Sequence, residues 1–299
     1  MIVVVGSINL DLVARVPRLP LGGETLSGSS FVSSPGGKGA NQALAARRAG
    51  ADVALFGAVG NDNFAAPALA LLRAEGVDLT GVRAVAAPTG VAIIHVDATG
   101  ENTIVVVAGA NGTVDASIVP AAALGPGTIV AMPLEIPHEA VAAVAHEART
   151  RGARVIVNAA PAAALPAATL AAIDSLVVNE HEAASVAAPF GLPLAPDAFC
   201  AAVHARFGTA TIVTLGARGA VAFDGHGAIV QPSPAVNVVD TVGAGDALIG
   251  ALAAALDRGA TLQNALREGV AAGSLACTRA GAQTSLPSRA DIARLAATI

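Results

Sequence analysis

Cysteine is almost absent from this chain. Of 299 residues only Cys200 and Cys277 carry a thiol, far apart and outside any C-x-x-C spacing. That excludes a disulfide framework and a cysteine-built zinc site, and it predicts a reducing, cytoplasmic setting. Basic runs are missing as well. Lys+Arg 17 against Asp+Glu 22 gives a formal net charge of -5, which argues against nucleic acid as a partner. The six histidines, His95, His138, His146, His181, His204 and His226, share no metal-ligand spacing. The opening MIVVVGSINLD has no basic region, and its apolar run stops at Gly6, so it reads as a first strand rather than an export signal. Val155 to Ile173 is uncharged and long enough to raise the question of a membrane span. Asn158, Pro161 and Pro166 interrupt it, however, and would leave backbone groups unsatisfied in lipid. No repeat, low-complexity linker or charge block divides the chain, so a single domain over 1–299 is expected.

Apolar residues, many of them alanine, are abundant and ordered. Short β-branched runs (IVVVG, DVALFGAVG, TIVAM, RVIVN, SLVVN, TIVTLG) alternate with alanine-rich helical patterns such as GANQALAARRAG, FAAPALALLRAEG and Ala244 to Asp257. Strands that read as continuous apolar runs are buried on both faces. The alternation therefore predicts an α/β fold, a central mostly parallel sheet sandwiched by helices. Two stretches, about 12–33 and 89–107, hold no helical pattern. The second reads as a hairpin around DATGEN, so together they predict a small β-sheet lid over one edge of the main sheet.

Three stretches carry chemistry. In SSPGGKGANQALAARR, Gly36, Gly37 and Gly39 surround Lys38 just before a helix, with Asn41 in its first turn. Glycine-rich backbone at a helix start presents N–H groups to an anion or hydroxyl, or simply makes a tight turn. It is not a Walker A loop, because Gly39 follows Lys38 where Ser or Thr is needed. In VVDTVGAGDAL, Gly243, Ala244 and Gly245 are small enough for their amides to approach a ligand, and Asp246 opens the next helix. Asp246 is either a helix-start carboxylate or, beside an anion hole, the group that orients an attacking hydroxyl in phosphoryl transfer. In LVVNEHEAA, Asn179 and Glu182 follow a strand at the sheet edge where α/β folds bind ligands. They suit a metal–phosphate held through water or, equally, a capping box.

The ordered set GSINLD, GGKGANQA, LE, NAAPA, NEHE, TLGARG, DTVGAGD and CTRAGAQTS spans essentially the whole chain. It resembles the PfkB carbohydrate kinases, in particular their ribokinase branch. The resemblance implies a role for each matching position. Asn9 and Asp11, at the end of the first strand, hold sugar hydroxyls with Gly37, Lys38, Asn41 and Glu135. Asp246 is the base, with Gly243, Ala244 and Gly245 as the anion hole. Asn179 and Glu182 arrange Mg2+ and phosphate, while Thr214, Gly216 and Gly219 form the nucleotide loop with Gly245. Asp240, Val242, Ala276, Arg279, Gly281 and Ser285 form a K+ site, mostly through backbone carbonyls. Three departures stand out: Ala217 in place of a serine, Ala65 in place of a glycine, and Gly269 where a histidine near adenine is common.

The activity so implied is ATP-dependent phosphorylation of the 5-hydroxyl of D-ribose. Another sugar or a nucleoside is the alternative substrate, and a non-catalytic sugar or nucleotide sensor is the reading from another class. A dehydrogenase is disfavoured, since Gly6 is followed by SINLD rather than G-x-G-x-x-G. The lid is expected to expose Val91, Ile93 and Val105, which predicts a homodimer packed lid on lid.

Overall fold

The computed structural model describes residues 1–299. Thirteen strands run in chain order: β1 Ile2–Val5, β2 Asn9–Arg15, β3 Ser30–Gly36, β4 Val53–Gly60, β5 Asp78–Val85, β6 Gly90–Val96, β7 Asn102–Val107, β8 Ile129–Pro133, β9 Arg154–Asn158, β10 Ser175–Asn179, β11 Ala210–Thr214, β12 Ala220–Phe223 and β13 Ala228–Gln231. The helices are α1 Lys38–Arg48, α2 Ala65–Ala68, α3 Ala70–Ala74, α4 His138–Thr150, α5 Ala167–Ala172, α6 Glu180–Ala187, α7 Pro196–Phe207, α8 Ala244–Asp257, α9 Leu262–Ala276 and α10 Arg289–Ala296. No helix is long and apolar enough to cross a membrane.

Nine strands form the main sheet in the order β13-β12-β11-β10-β9-β8-β1-β4-β5. From β11 to β5 all neighbours run parallel, and only β11–β12 and β12–β13 are antiparallel. Alternation along β1 divides the core. Ile2 and Val4 pack with α1, α8 and α9 on one face, while Val3 and Val5 pack with α4, α5 and α7 on the other. β1, β4 and β8 are apolar throughout, and β9 and β10 are apolar between polar ends, because both faces are covered, as the sequence predicts. The segment FAAPALALLRAEG is not one helix: it breaks between α2 and α3 at Leu69. Pro67 lies in α2 and has no N–H to give to a longer ladder.

A second sheet of four strands, β3-β2-β6-β7, stands apart from the first. Two antiparallel pairs, β2–β3 and β6–β7, meet through a parallel β2–β6 seam. Phe31, Val32, Ile93 and all of β7 are exposed, with Phe31 reaching 65%. Val91 is half-buried rather than exposed, since it lies near the base of β6 beside the buried Leu10.

Candidate active site

The parallel strands end along one edge, and their following loops converge there. The loop Gly6–Ile8 follows β1, Glu135 follows β8, Asn158 closes β9, Asn179 closes β10 and Thr214 closes β11. Asn9 and Asp11 do not sit at the end of the first strand, which stops at Val5. They lie in β2, the first strand of the small sheet, which leaves the body after a three-residue turn and brings Asp11 near Glu135 and Asp246.

Helix α1 starts at Lys38 behind Gly37, whose φ of 88 is open only to a residue without Cβ. The backbone N–H of Lys38 donates to Glu135 Oε2 at 3.0 Å, and Ser7 Oγ donates to the same oxygen at 2.6 Å. On the lid side, Asn111 Nδ2 donates to Asn9 Oδ1 at 2.7 Å. Its Oδ1 accepts from the Ile8 N–H at 2.8 Å. Ser7 and Asn111 thus hold Glu135 and Asn9 in place. No local motif announces them, because each acts across more than a hundred residues of chain.

Asp246 lies in the first turn of α8 and is only 5% exposed. Its two oxygens receive the amides of consecutive α1 residues: Asn41 Nδ2 donates to Oδ2 at 2.9 Å and Gln42 Nε2 donates to Oδ1 at 3.0 Å. Gly243 begins the helix with φ 78 and offers no side-chain cap, and the Gly245 and Asp246 N–H groups have no backbone acceptor. Unsatisfied amides at a helix start, pointing away from the helix body, form a hole suited to an anion.

Charge is concentrated here. Lys38, the single lysine of the chain, is half-buried among Asp246, Glu135, Glu182 and Asp11, and Asp246 above all holds its ammonium above the usual range. Burial, then Glu135 and Asp246, push Asp11 to about 7. Burial also pushes Asp246 and Glu182 above the ordinary carboxylate range, against the pull of Lys38. One lysine against four carboxylates leaves negative charge uncompensated, and that excess suits further cations.

Asn179 and Glu182 form a complete capping box on α6: Asn179 Oδ1 accepts from the Glu182 N–H and Glu182 Oε2 from the Asn179 N–H, both at 2.8 Å. Yet Glu182 is buried and close enough to feel Lys38 and Asp246, so one residue takes part in both the cap and the charged cluster. Thr214, Gly216, Ala217 and Gly219 line a cleft of about 550 Å³ that continues to Ala244 and Gly245. Its apolar walls are Val236, Val238, Leu248 and Val270, and no aromatic ring contributes. Gly269 is not part of it. A Cβ there would meet Leu248 O at 3.0 Å, because the residue faces α8, and Val270, Gly273, Ser274 and Cys277 present α9 and its end to the cleft instead.

Of the residues expected for the cation, hydrogen bonds join Asp240, Val242 and Gly281. Asp240 Oδ1 accepts from the Val242 N–H at 3.0 Å and Oδ2 from the Gly281 N–H at 2.8 Å, which ties the segment before α8 to the one after α9. Ala276 and Ser285 are buried, and Ser285 Oγ donates to Ala282 O at 2.8 Å. The groups such a site could offer are oxygens, the Asp240 carboxylate, backbone carbonyls and the Ser285 hydroxyl. That is a low-charge set suited to a monovalent rather than a divalent ion.

Known proteins place this architecture. The chain is 38% identical over 307 residues to the ribokinase of Schizosaccharomyces pombe, covering 97% of this chain and 96% of that one. The crystal structure of Thermotoga maritima ribokinase superposes with a TM-score of 0.90 at 31% identity, covering 98% of each chain. Arabidopsis thaliana ribokinase, whose structure was determined with ribose and ATP, superposes with a TM-score of 0.88 at 32% identity over 99% of this chain and 98% of that one. The pfkB family carbohydrate kinase model matches residues 1–289. This chain, with its nine-stranded body and four-stranded second sheet, belongs to the pfkB family of carbohydrate kinases.

Proposed function

We propose that the chain transfers the γ-phosphoryl group of ATP to the 5-hydroxyl of D-ribose. The observation that carries this reading is Asp246, a buried carboxylate held by two amides beside unsatisfied helix-start N–H groups, between a cleft and a lid. The ribokinase relatives support ribose and ATP as the substrates. Asn9, Asp11, Gly37, Lys38, Asn41 and Glu135 hold the sugar. Asp246 orients its hydroxyl toward the γ-phosphorus, a new O–P bond forms, and the bond to the bridging oxygen of ADP breaks. The proton passes late to the Asp246 carboxylate, as a loose transition state requires. The free amides of Gly245 and Asp246, next to the Gly243–Ala244 turn whose Ala244 N–H goes to the Thr241 carbonyl, receive the charge gathering on the transferred group. Thr214, Gly216, Gly219 and Gly245 hold the nucleotide, and Glu182 with Asn179 would hold Mg2+. Mg2+ neutralises phosphate charge when bound.

A panel of ribose, 2-deoxyribose, fructose and adenosine with coupled detection of ADP tests the assignment. Ribose should give the highest kcat/KM, and preference for adenosine would overturn it. Lining of the cleft by alanine rather than serine at 217 removes one hydroxyl from the nucleotide side, without touching the sugar site.

Asp11 supplies a pH signature. With its carboxyl at about 7 in the free protein, it accepts sugar hydroxyls fully only once ionised. We therefore expect kcat/KM for ribose to rise with pH through about 7, and Asp11→Asn to remove that inflection. A wild-type profile retained in the variant would refute the assignment.

Asp240, with Val242, Ala276, Arg279, Gly281 and Ser285, is assigned to K+, which would order the turn leading into α8. Asp240→Asn should flatten the dependence of kcat on added KCl and leave the KM for ribose within about two-fold. An unchanged KCl response would remove Asp240 from the site.

The exposed apolar residues of the second sheet, Phe31, Val32, Ile93 and β7, suit a two-fold dimer joined lid to lid. Sedimentation at micromolar concentration should give twice the 29.0 kDa chain mass, and a monomer would count against it. Catalysis in the cytoplasm accords with the two free thiols.

A further inference from the structure

Two amide side chains, Asn158 and Gln42, connect the reacting carboxylate to the main sheet in a fixed direction. Asn158, at the end of β9, donates from Nδ2 to the carbonyl of Val177 in β10 at 3.2 Å. Its Oδ1 therefore faces Gln42 and accepts from Nε2 at 3.2 Å. The other hydrogen of the same Gln42 nitrogen goes to Asp246 Oδ1. A main-chain carbonyl can only accept, so each amide in turn is forced into one orientation. The consequence at the far end is that Asp246 is always offered an N–H. Gln42 is 1% exposed, and its Oε1 has no partner in the protein, so both hydrogens of its NH2 serve this chain and nothing else holds the side chain. Asn41 likewise has an unpartnered Oδ1, but its Nδ2 is oriented by Asp246 alone and not by the main sheet.

We propose that Gln42 and Asn158 are positioning residues for phosphoryl transfer: they aim Asp246 and keep it an acceptor without touching sugar or nucleotide. The Val177 carbonyl sets their direction. The inference rests on Asp246 being the base. A carboxylate given one permanent donor stays ionised at lower pH than one without it. The other charged groups facing Asp246 are Lys38 from α1, Asp11 from the lid, Glu135 after β8 and Glu182 from α6. None of these contacts Gln42 through a hydrogen bond, so a change at 42 leaves their partners in place.

The test measures kcat against pH at saturating ribose and ATP for wild type, Gln42→Leu, Gln42→Glu and Asp246→Asn. Gln42→Leu should lose about 10- to 100-fold in kcat near pH 7, with its acid limb raised by about one pH unit. Gln42→Glu, nearly the same shape, should fold even where leucine does not. Its acid limb should move higher still, because two adjacent carboxylates share a proton. A uniform loss of kcat at every pH, with the limb unmoved in a folded Gln42→Glu, would overturn the inference while an inactive Asp246→Asn kept the base assignment intact. Turnover retained by Asp246→Asn would overturn the base assignment, and the inference with it.

Discussion

Replacing Asp246 by asparagine should abolish phosphorylation, lowering kcat by about 10³-fold or more, while the protein stays folded and resists heat better than wild type. The two effects share one cause. Burial holds the carboxyl of Asp246 above the ordinary range, so ionising it, as the reaction requires, costs the fold stability. For a raised carboxyl, the stabilising contribution is complete below the unfolded pKa near 3.8 and is lost as pH rises through the folded value. Asparagine escapes that loss. Its Oδ1 can accept from the fixed Gln42, and its Nδ2 can donate to Asn41, whose unpartnered Oδ1 swings round to receive it. Melting curves at pH 7 should show the variant a few degrees above wild type, with the gap closing near pH 4. A less stable variant at pH 7 would show that the carboxylate is held by more than it costs.

The second large effect lies one helical turn away. Gly250 of α8 faces α1, where a Cβ would stand 2.6 Å from the Ala46 nitrogen and in conflict with the Ala45 Cβ. Both obstacles belong to a helix whose preceding turn carries Asn41 and Gln42, and Gly250 itself follows Asp246 by four residues. Gly250→Ala must therefore push apart the two helices that join the base to its amides. Overpacking costs about 1–3 kcal/mol, offset by up to about 1 kcal/mol of helix propensity, so a loss of a few degrees in Tm is expected. Activity should suffer far more, by about 10²-fold in kcat, because a displacement near 1 Å misdirects the carboxylate. Nucleotide affinity should fall less than kcat, since Thr214, Gly216, Gly219, Val270 and Gly273 line the cleft from other elements while α8 adds only Ala244, Gly245 and Leu248. Near-wild-type turnover would mean that the α1–α8 spacing does not govern the chemistry.

Much of this was legible in the residues themselves. The parallel strands announce themselves as unbroken apolar runs because both faces are covered, and α8 runs from Ala244 to Asp257 as its pattern predicts. The hairpin around DATGEN appears as β6 and β7. Other features needed three dimensions. Asn9 and Asp11 follow an apolar strand so closely that they read as its end, yet a turn at Gly6–Ile8 hands them to the other sheet. Gly269 lies next to cleft-lining Val270, but one step along a helix rotates it about 100° toward α8. Asn158 and Gln42 are 116 residues apart, and a hydrogen bond across that distance leaves no periodic trace. The one available hint was repetition: RVIVN and SLVVN are neighbouring strands that both end in asparagine at the same sheet edge.

The solitary lysine has a practical consequence for anyone handling the protein. Amine-directed reagents can attach only at Lys38 and at the Met1 amine, which is held by Asp257 at 2.6 Å. Lys38 is half-buried and its ammonium is held above the usual range, so ordinary biotinylation or fluorescent tagging near neutral pH would mark the exposed Met1 amine first and leave Lys38 largely untouched. Turned around, the same chemistry becomes an occupancy gauge. On the proposed sugar role of Lys38, its slow tagging at raised pH, read by mass spectrometry, should fall as sugar occupies the site, with no turnover required.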